Sequence, residues 1–135
     1  MADRLFLDAN VLFSAAYRER FGLLKLRDVP EAQVITSRYA AAEARRNLST
    51  REQQTRLDAI LEKTELIDES DPRAVNDEDR LPEKDRPILR AAVLGKATHL
   101  ITGDFSHFGR FFGEPLQGVI IMPPAGYLRS TRETS

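Results

Sequence analysis

The 135-residue chain contains no cysteine. That excludes a disulfide scaffold, a zinc–thiolate site and a thiol nucleophile. Histidine is nearly missing as well. With only His99 and His107 available, a metal bound here draws mainly on oxygen ligands. No apolar run approaches the length of a membrane span, and Met1-Ala2-Asp3-Arg4 has no signal-peptide pattern. The expected location is the cytoplasm, with no membrane partner. Lysine is scarce: of the 20 basic residues only Lys25, Lys63, Lys84 and Lys96 are lysine, and the rest are arginine. Arginine suits bidentate phosphate contacts, although many of these positions also read as solvated helix faces. A Gly-rich phosphate loop is absent, which removes P-loop nucleotide hydrolysis.

What is present is an ordinary globular composition, 41% hydrophobic and 30% charged, with a net charge of −1. Such a chain is long enough to bury a core as one domain. The near-neutral total does not argue against nucleic acid, because an acidic metal pocket cancels a basic rim in the sum. We expect the domain to span 1–128, with 129–135 as a flexible C-terminal tail.

Strand and helix patterns alternate. Leu5 to Leu7 reads as a first strand, followed by a helix from Val11 to about Leu26. Val34 to Thr36 forms a second strand, and Thr36 or Ser37 caps a helix running to about Leu48. Ser49 or Thr50 caps the next helix, across Leu57, Ile60 and Leu61, before a third strand near Glu65 to Ile67. Asp68 to Lys84 reads as an acidic, solvated loop. Asp85 and Pro87 open a helix that Gly95 ends. His99 to Thr102 is strand four, Ser106 to Phe112 a short helix, and Val119 to Met122 strand five, stopped by Pro123 and Pro124. The fold class that follows is α/β, with a central parallel β-sheet flanked by α-helices.

Four carboxylates fall where this topology converges. Leu5-Phe6-Leu7 ends abruptly in Asp8, and His99-Leu100-Ile101-Thr102-Gly103 ends in Asp104. Asp85 starts the helix leading to strand four, and Glu43 lies about two turns into the helix after strand two. Open α/β sheets bind ligands at the carboxyl ends of their strands, so all four acids can share one pocket. Clustered carboxylates repel, and a hard divalent cation relieves that repulsion. One or two such ions would lower the pKa of a bound water and stabilise charge on a phosphodiester. Each acid also has a plainer role. Asp85 and Asp104 fit as helix N-caps, and Glu43 has Arg46 and Asn47 within reach on its own helix. Asp8 is the hardest to explain structurally, since an apolar strand has no need to end in Asp.

The ordered segments Leu7-Asp8-Ala9-Asn10-Val11-Leu12, Ala42-Glu43-Ala44-Arg45-Arg46-Asn47-Leu48, Asp85 before Ile88-Leu89, and Thr102-Gly103-Asp104-Phe105-Ser106-His107-Phe108 together resemble a PIN domain. The resemblance covers about Leu5 to Met122. It implies a single-domain PIN-like fold and a metal-dependent endoribonuclease. Asp8, Glu43, Asp85 and Asp104 would bind Mg²⁺ or Mn²⁺ and position the attacking water, with Asn10 and Thr102 as supporting hydrogen-bonding groups. Many small members of the family are VapC-type toxins of type II toxin–antitoxin pairs. The implied partners are therefore an RNA substrate, a cognate antitoxin and a second copy of the chain in a homodimer. The chain departs from the family in one place: many members carry a further acid shortly after the position of Asp104, where this sequence has Ser106-His107. His107 reads either as a group near the pocket or phosphate, or as a structural one.

Exposed phosphodiesters of single-stranded or loop RNA suit a shallow acidic cleft. Arg38, Arg45, Arg46 and Arg110 are the first candidates for phosphate contacts. Phe105, Phe108, Phe111 and Phe112 read more simply as core than as an apolar docking surface. A haloacid-dehalogenase-type phosphatase needs a second Asp two residues after the first, and Asn10 stands there. A receiver domain needs a lysine near its last strand, which Val119 to Met122 does not supply. The remaining alternative is a non-catalytic PIN-like module that binds RNA or protein. It has no reason to keep four mutually repelling acids.

Overall fold

The computed structural model describes residues 2–18, 29, 31–69 and 73–133. Three consecutive residues of β1 (Arg4–Leu7), Leu5, Phe6 and Leu7, are buried. Neighbouring side chains of a strand point to opposite faces, so β1 is covered on both sides, as in an α/β sheet. β1 pairs in parallel with β2 (Gln33–Ser37) and with β4 (His99–Ile101). β3 (Glu65–Ile67) extends the sheet beyond β2, and β6 (Val119–Met122) extends it beyond β4. β5 (Pro115–Leu116) closes the far edge as the one antiparallel strand among those described. The order is β3-β2-β1-β4-β6-β5. The chain therefore winds one way from β1 to β3 and the other way from β4, which puts the topological switch point between β1 and β4.

Helix positions follow the sequence closely at their starts. α1 (Ala9–Tyr17) begins directly after Asp8, whose carboxylate accepts the Ala9 amide at 2.7 Å. It ends at Tyr17, where Arg18 turns extended, well before the expected limit near Leu26. The remainder of that expectation lies outside the described residues. α2 (Arg38–Asn47) is capped by Ser37 and buries Ala40, Ala41 and Ala44. α3 (Arg51–Glu62) starts with a capping box between Thr50 and Gln53. α1 packs on both α2 and α3.

The described residues of the acidic stretch after β3 hold more local structure than a solvated loop. Two 3₁₀ turns, Glu78–Arg80 and Glu83–Asp85, lead into α4 (Arg86–Leu94). Glu69 accepts the Tyr39 amide at 2.9 Å, and Glu78 takes the Arg90 guanidinium. Arg90 holds the Glu78 carboxyl down at about 2. α5 is a single turn (Phe105–Phe108) followed by a 3₁₀ turn at Gly109–Phe111. Of the four phenylalanines there, Phe108 and Phe111 are core, whereas Phe105 is 70% exposed.

Pro123 ends β6 as expected, but the chain then forms α6 (Pro124–Glu133). Residues 129–133 therefore continue a helix where a tail was expected. The helix has an anchor: Tyr127 is buried, and its hydroxyl donates to Asp3 at 2.7 Å. The hydroxyls of Ser130 and Thr131 bond back to the carbonyls of Tyr127 and Leu128. Among the described residues no helix is long and apolar enough to cross a membrane.

Candidate active site

The carboxyl ends of β1 and β4 meet at the switch point, and the chain leaves each strand through an acid. The Asp8 amide still donates to the Ile101 carbonyl at 3.0 Å. The loops after the two strands are thus stitched together before either helix starts. Asn10 completes the stitch. Its Oδ1 accepts the Gly103 amide at 2.9 Å, and its Nδ2 donates to Asp8 Oδ2 at 3.0 Å and to Thr102 Oγ1 at 3.1 Å. Thr102, fully buried, donates its hydroxyl to Asp8 Oδ2 at 2.8 Å.

These bonds fix Asp8 in a dry environment. The side chain is 5% exposed, and burial raises its pKa to about 6. The bonds from Thr102 and the Ala9 amide oppose that rise, and the charges of Asp85 and Asp104 add to it. An acid held this way favours a nearby positive charge, because a cation repays the desolvation of the carboxylate.

Asp8, Glu43, Asp85 and Asp104 all line one cavity of about 480 Å³, together with Asn10 and Lys84. Ala9 and Phe13 of α1 and Ala44 and Asn47 of α2 complete its walls. The sequence expectation that these acids converge is met in this sense: they share a cavity. They are not equivalent within it. Asp85 and Asp104 form a tight group with His107, in which one ligand atom from each lies within 4.8 Å of the others. Asp8 and Glu43 line the cavity outside that group. Glu43 lies 3.9 Å from the Arg46 guanidinium, on the more open side.

Capping and site membership prove compatible. Asp104 accepts the His107 amide at 3.2 Å and the Ser106 hydroxyl at 2.9 Å through Oδ1 alone. Its Oδ2 lies 2.8 Å from His107 Nδ1. Burial pushes the Asp104 carboxyl up, but these hydrogen bonds and the adjacent imidazole leave it below its ordinary value. Asp85 occupies the N-cap position of α4 yet makes no capping bond, contrary to the expected role. Its side chain turns into the cavity, where Oδ2 lies 2.9 Å from His107 Nδ1. Burial raises its pKa; the His107 charge opposes that, and Asp104 and Glu43 reinforce it.

Of the two readings of His107, the structure places its ring beside the cavity acids Asp85 and Asp104. A signal was available: it stands three positions after Asp104 across a helical turn, so both side chains share one face. Lys84 was passed over, although its place directly before Asp85 puts it at the same edge. The arginines singled out are spread widely. Arg38 is exposed at the start of α2, and Arg46 is exposed beside Glu43. Arg45 is bound to Gln54 and Asp58, and Arg110 donates to the Arg80 carbonyl and stacks on Phe111. His99 sits at the opposite, amino end of β4, edge-on to Tyr127. Burial lowers its pKa there.

No protein-family model matches the sequence, and no curated protein matches it. In fold, the chain is similar to one in the crystal structure of VapBC2 from Rickettsia felis bound to a DNA fragment from their promoter. The TM-score is 0.65 at 19% sequence identity, over 89% of this chain and 98% of that one. The likeness establishes the fold: an α/β unit with a six-stranded, mainly parallel sheet.

Proposed function

We propose that this chain is a metal-dependent endoribonuclease of the PIN type, acting as the toxin of a type II toxin–antitoxin pair. The observation that carries the reading is the gathering of Asp8, Glu43, Asp85 and Asp104 around one cavity at the β1/β4 switch point. The VapBC2 fold likeness supports the toxin assignment and an antitoxin partner. Homodimerisation belongs to the same reading, with exposed Phe105 available as an apolar contact.

The residues fit a divalent cation. Two buried polar atoms, Asp85 Oδ2 and His107 Nδ1, have no hydrogen-bond partner, a costly state that a cation would relieve. Asp8, Asp85 and Asp104 would hold Mg²⁺ or Mn²⁺. The bound ion would supply a water of lowered pKa and charge stabilisation at the phosphodiester.

The chain's own groups do the rest. Asn10 and Thr102 orient Asp8 and keep it from rotating out of the cavity. Glu43, on the open side, accepts a hydrogen bond from the incoming water and aligns it. Lys84 and Arg46 neutralise phosphate oxygens of the RNA strand. Substrate entering from the open side displaces water, which strengthens each of these charge contacts.

The test is cleavage of a structured RNA pool with Mn²⁺ or Mg²⁺ by wild type and by Asp8→Asn, which preserves shape and removes charge. Metal-dependent cleavage lost in the variant supports the reading. If wild type neither cuts RNA nor binds ions in isothermal titration, the nuclease reading fails, and a binding module takes its place.

A further inference from the structure

We infer that His107 is itself a metal ligand, completing with Asp85 and Asp104 a mixed nitrogen–oxygen face for a divalent transition ion. The inference deepens the metal-dependent reading above and rests on it.

His107 Nδ1 lies 2.9 Å from Asp85 Oδ2 and 2.8 Å from Asp104 Oδ2. Asp85 Oδ2 and His107 Nδ1 are both buried, and neither has a well-formed hydrogen bond. A ring nitrogen carries at most one proton, so it cannot serve two carboxylates at once. Three ligand-type atoms, one from each side chain, converge within 4.8 Å of one another, as the ligands of an ion do. Neighbouring ligands about 2.1 Å from an octahedral ion stand about 3.0 Å apart, close to both separations seen here. Two carboxylates and a neutral imidazole also balance a doubly charged ion.

The local sequence builds this face. Asp104 spends Oδ1 on the Ser106 hydroxyl and the His107 amide, which leaves Oδ2 directed at the His107 ring. The uncapped carboxylate of Asp85 reaches it from the other side. An imidazole in the set shifts preference from Mg²⁺ toward Mn²⁺ and later transition ions, because nitrogen ligands suit those metals and Mg²⁺ favours oxygen.

The experiment loads the full chain with Mn²⁺ alone and reads the bound ion by pulsed electron paramagnetic resonance, beside isothermal titration with Mn²⁺ and Mg²⁺. Wild type and His99→Gln should show ¹⁴N coupling from a coordinated imidazole. His107→Gln and His107→Asp should lack it. His107→Gln should bind Mn²⁺ about 10-fold or more weakly. His107→Asp, which restores an oxygen ligand, should bind but with a reduced preference for Mn²⁺ over Mg²⁺, and it keeps the test open if the glutamine variant misfolds. Mn²⁺ bound to wild type without ¹⁴N coupling, or coupling that survives loss of His107, overturns the inference and leaves the metal-dependent reading standing. A wild type that takes up no Mn²⁺ overturns both.

Discussion

The Thr102 hydroxyl donates to Asp8 Oδ2 at 2.8 Å and accepts the backbone N–H of Asp104 at 3.1 Å. One buried hydroxyl thus sets the relation between two acids from two strands. Thr102→Val keeps the volume and removes both bonds, together with the one that Asn10 Nδ2 donates to the same oxygen. We expect the variant to fold with a loss of about 1–3 kcal/mol. Its cleavage rate and metal affinity should fall about 10- to 100-fold. Denaturant melts and cleavage assays on the same preparation check this; unaltered cleavage would refute the positioning role.

Asp8 makes stability depend on pH with an unusual sign. Its carboxyl rises from 3.8 to about 6 on folding, so between those values the native state binds the extra proton. Stability from this group is therefore greatest below pH about 4 and declines as pH rises toward about 6, by up to about 3 kcal/mol. Asp85, also raised, acts in the same direction, and Asp104, lowered, opposes it. Metal-free wild type should lose stability relative to Asp8→Asn across pH 4 to 6.5 in urea melts. Parallel curves would contradict the assignment. Added Mn²⁺ should restore wild type selectively above pH 6, because it binds the ionised form.

Lys84 is the lysine that lines the acidic cavity, and the Tyr39 hydroxyl holds its backbone carbonyl at 3.0 Å. If its ammonium meets an RNA phosphate, Lys84→Met should weaken binding of a single-stranded RNA and flatten its salt dependence by about one phosphate contact. Fluorescence anisotropy over a salt series measures both, using the Asp8→Asn background to prevent cleavage. An unchanged slope would remove Lys84 from the RNA path.

Gly95 ends α4 where the helix presses on the sheet. A Cβ there would stand 2.7 Å from Ile67 Cδ1 and 2.9 Å from Ile67 Cγ1. Gly95→Ala should cost about 1–3 kcal/mol through overpacking, partly offset by a less flexible unfolded chain. Cleavage per folded molecule should be untouched, since the contact is far from the acids. Thermal melts and active-site titration separate the two effects.

Much of this architecture was legible in the sequence because its signals are local. Leu5 to Leu7 and His99 to Ile101 are short apolar runs bounded by polar residues. Their shared exit through an acid places both at one sheet edge. Capping at Ser37 and Thr50 was readable for the same reason. The two-residue strand β5 was not, since Pro115–Leu116 forms only against β6. Nor was α6, whose anchor is a bond between Tyr127 and Asp3, 124 positions apart. Whether an acid caps a helix, faces the cavity or does both depends on where each of its oxygens points, which spacing does not encode. A carboxylate has two oxygens: Asp104 takes the cap bonds with Oδ1 and turns Oδ2 to His107. The contact of His107 with Asp85 was not readable, because Asp85 arrives from a distant segment.

Arg4, at the amino end of β1, donates to the Gly95 carbonyl, to Gln33 and to Glu65, so the rim opposite the cavity has its charges matched in place. The cavity at the other end gathers four carboxylates instead, Asp8, Glu43, Asp85 and Asp104. The two ends of the sheet are thus built differently, and a library of single substitutions should divide with them. Changes at the Arg4 end should shorten the protein's lifetime in the cell while leaving each surviving molecule competent. Changes at the Asp8 end should leave folded protein in which metal binding, and any activity that depends on it, is lost.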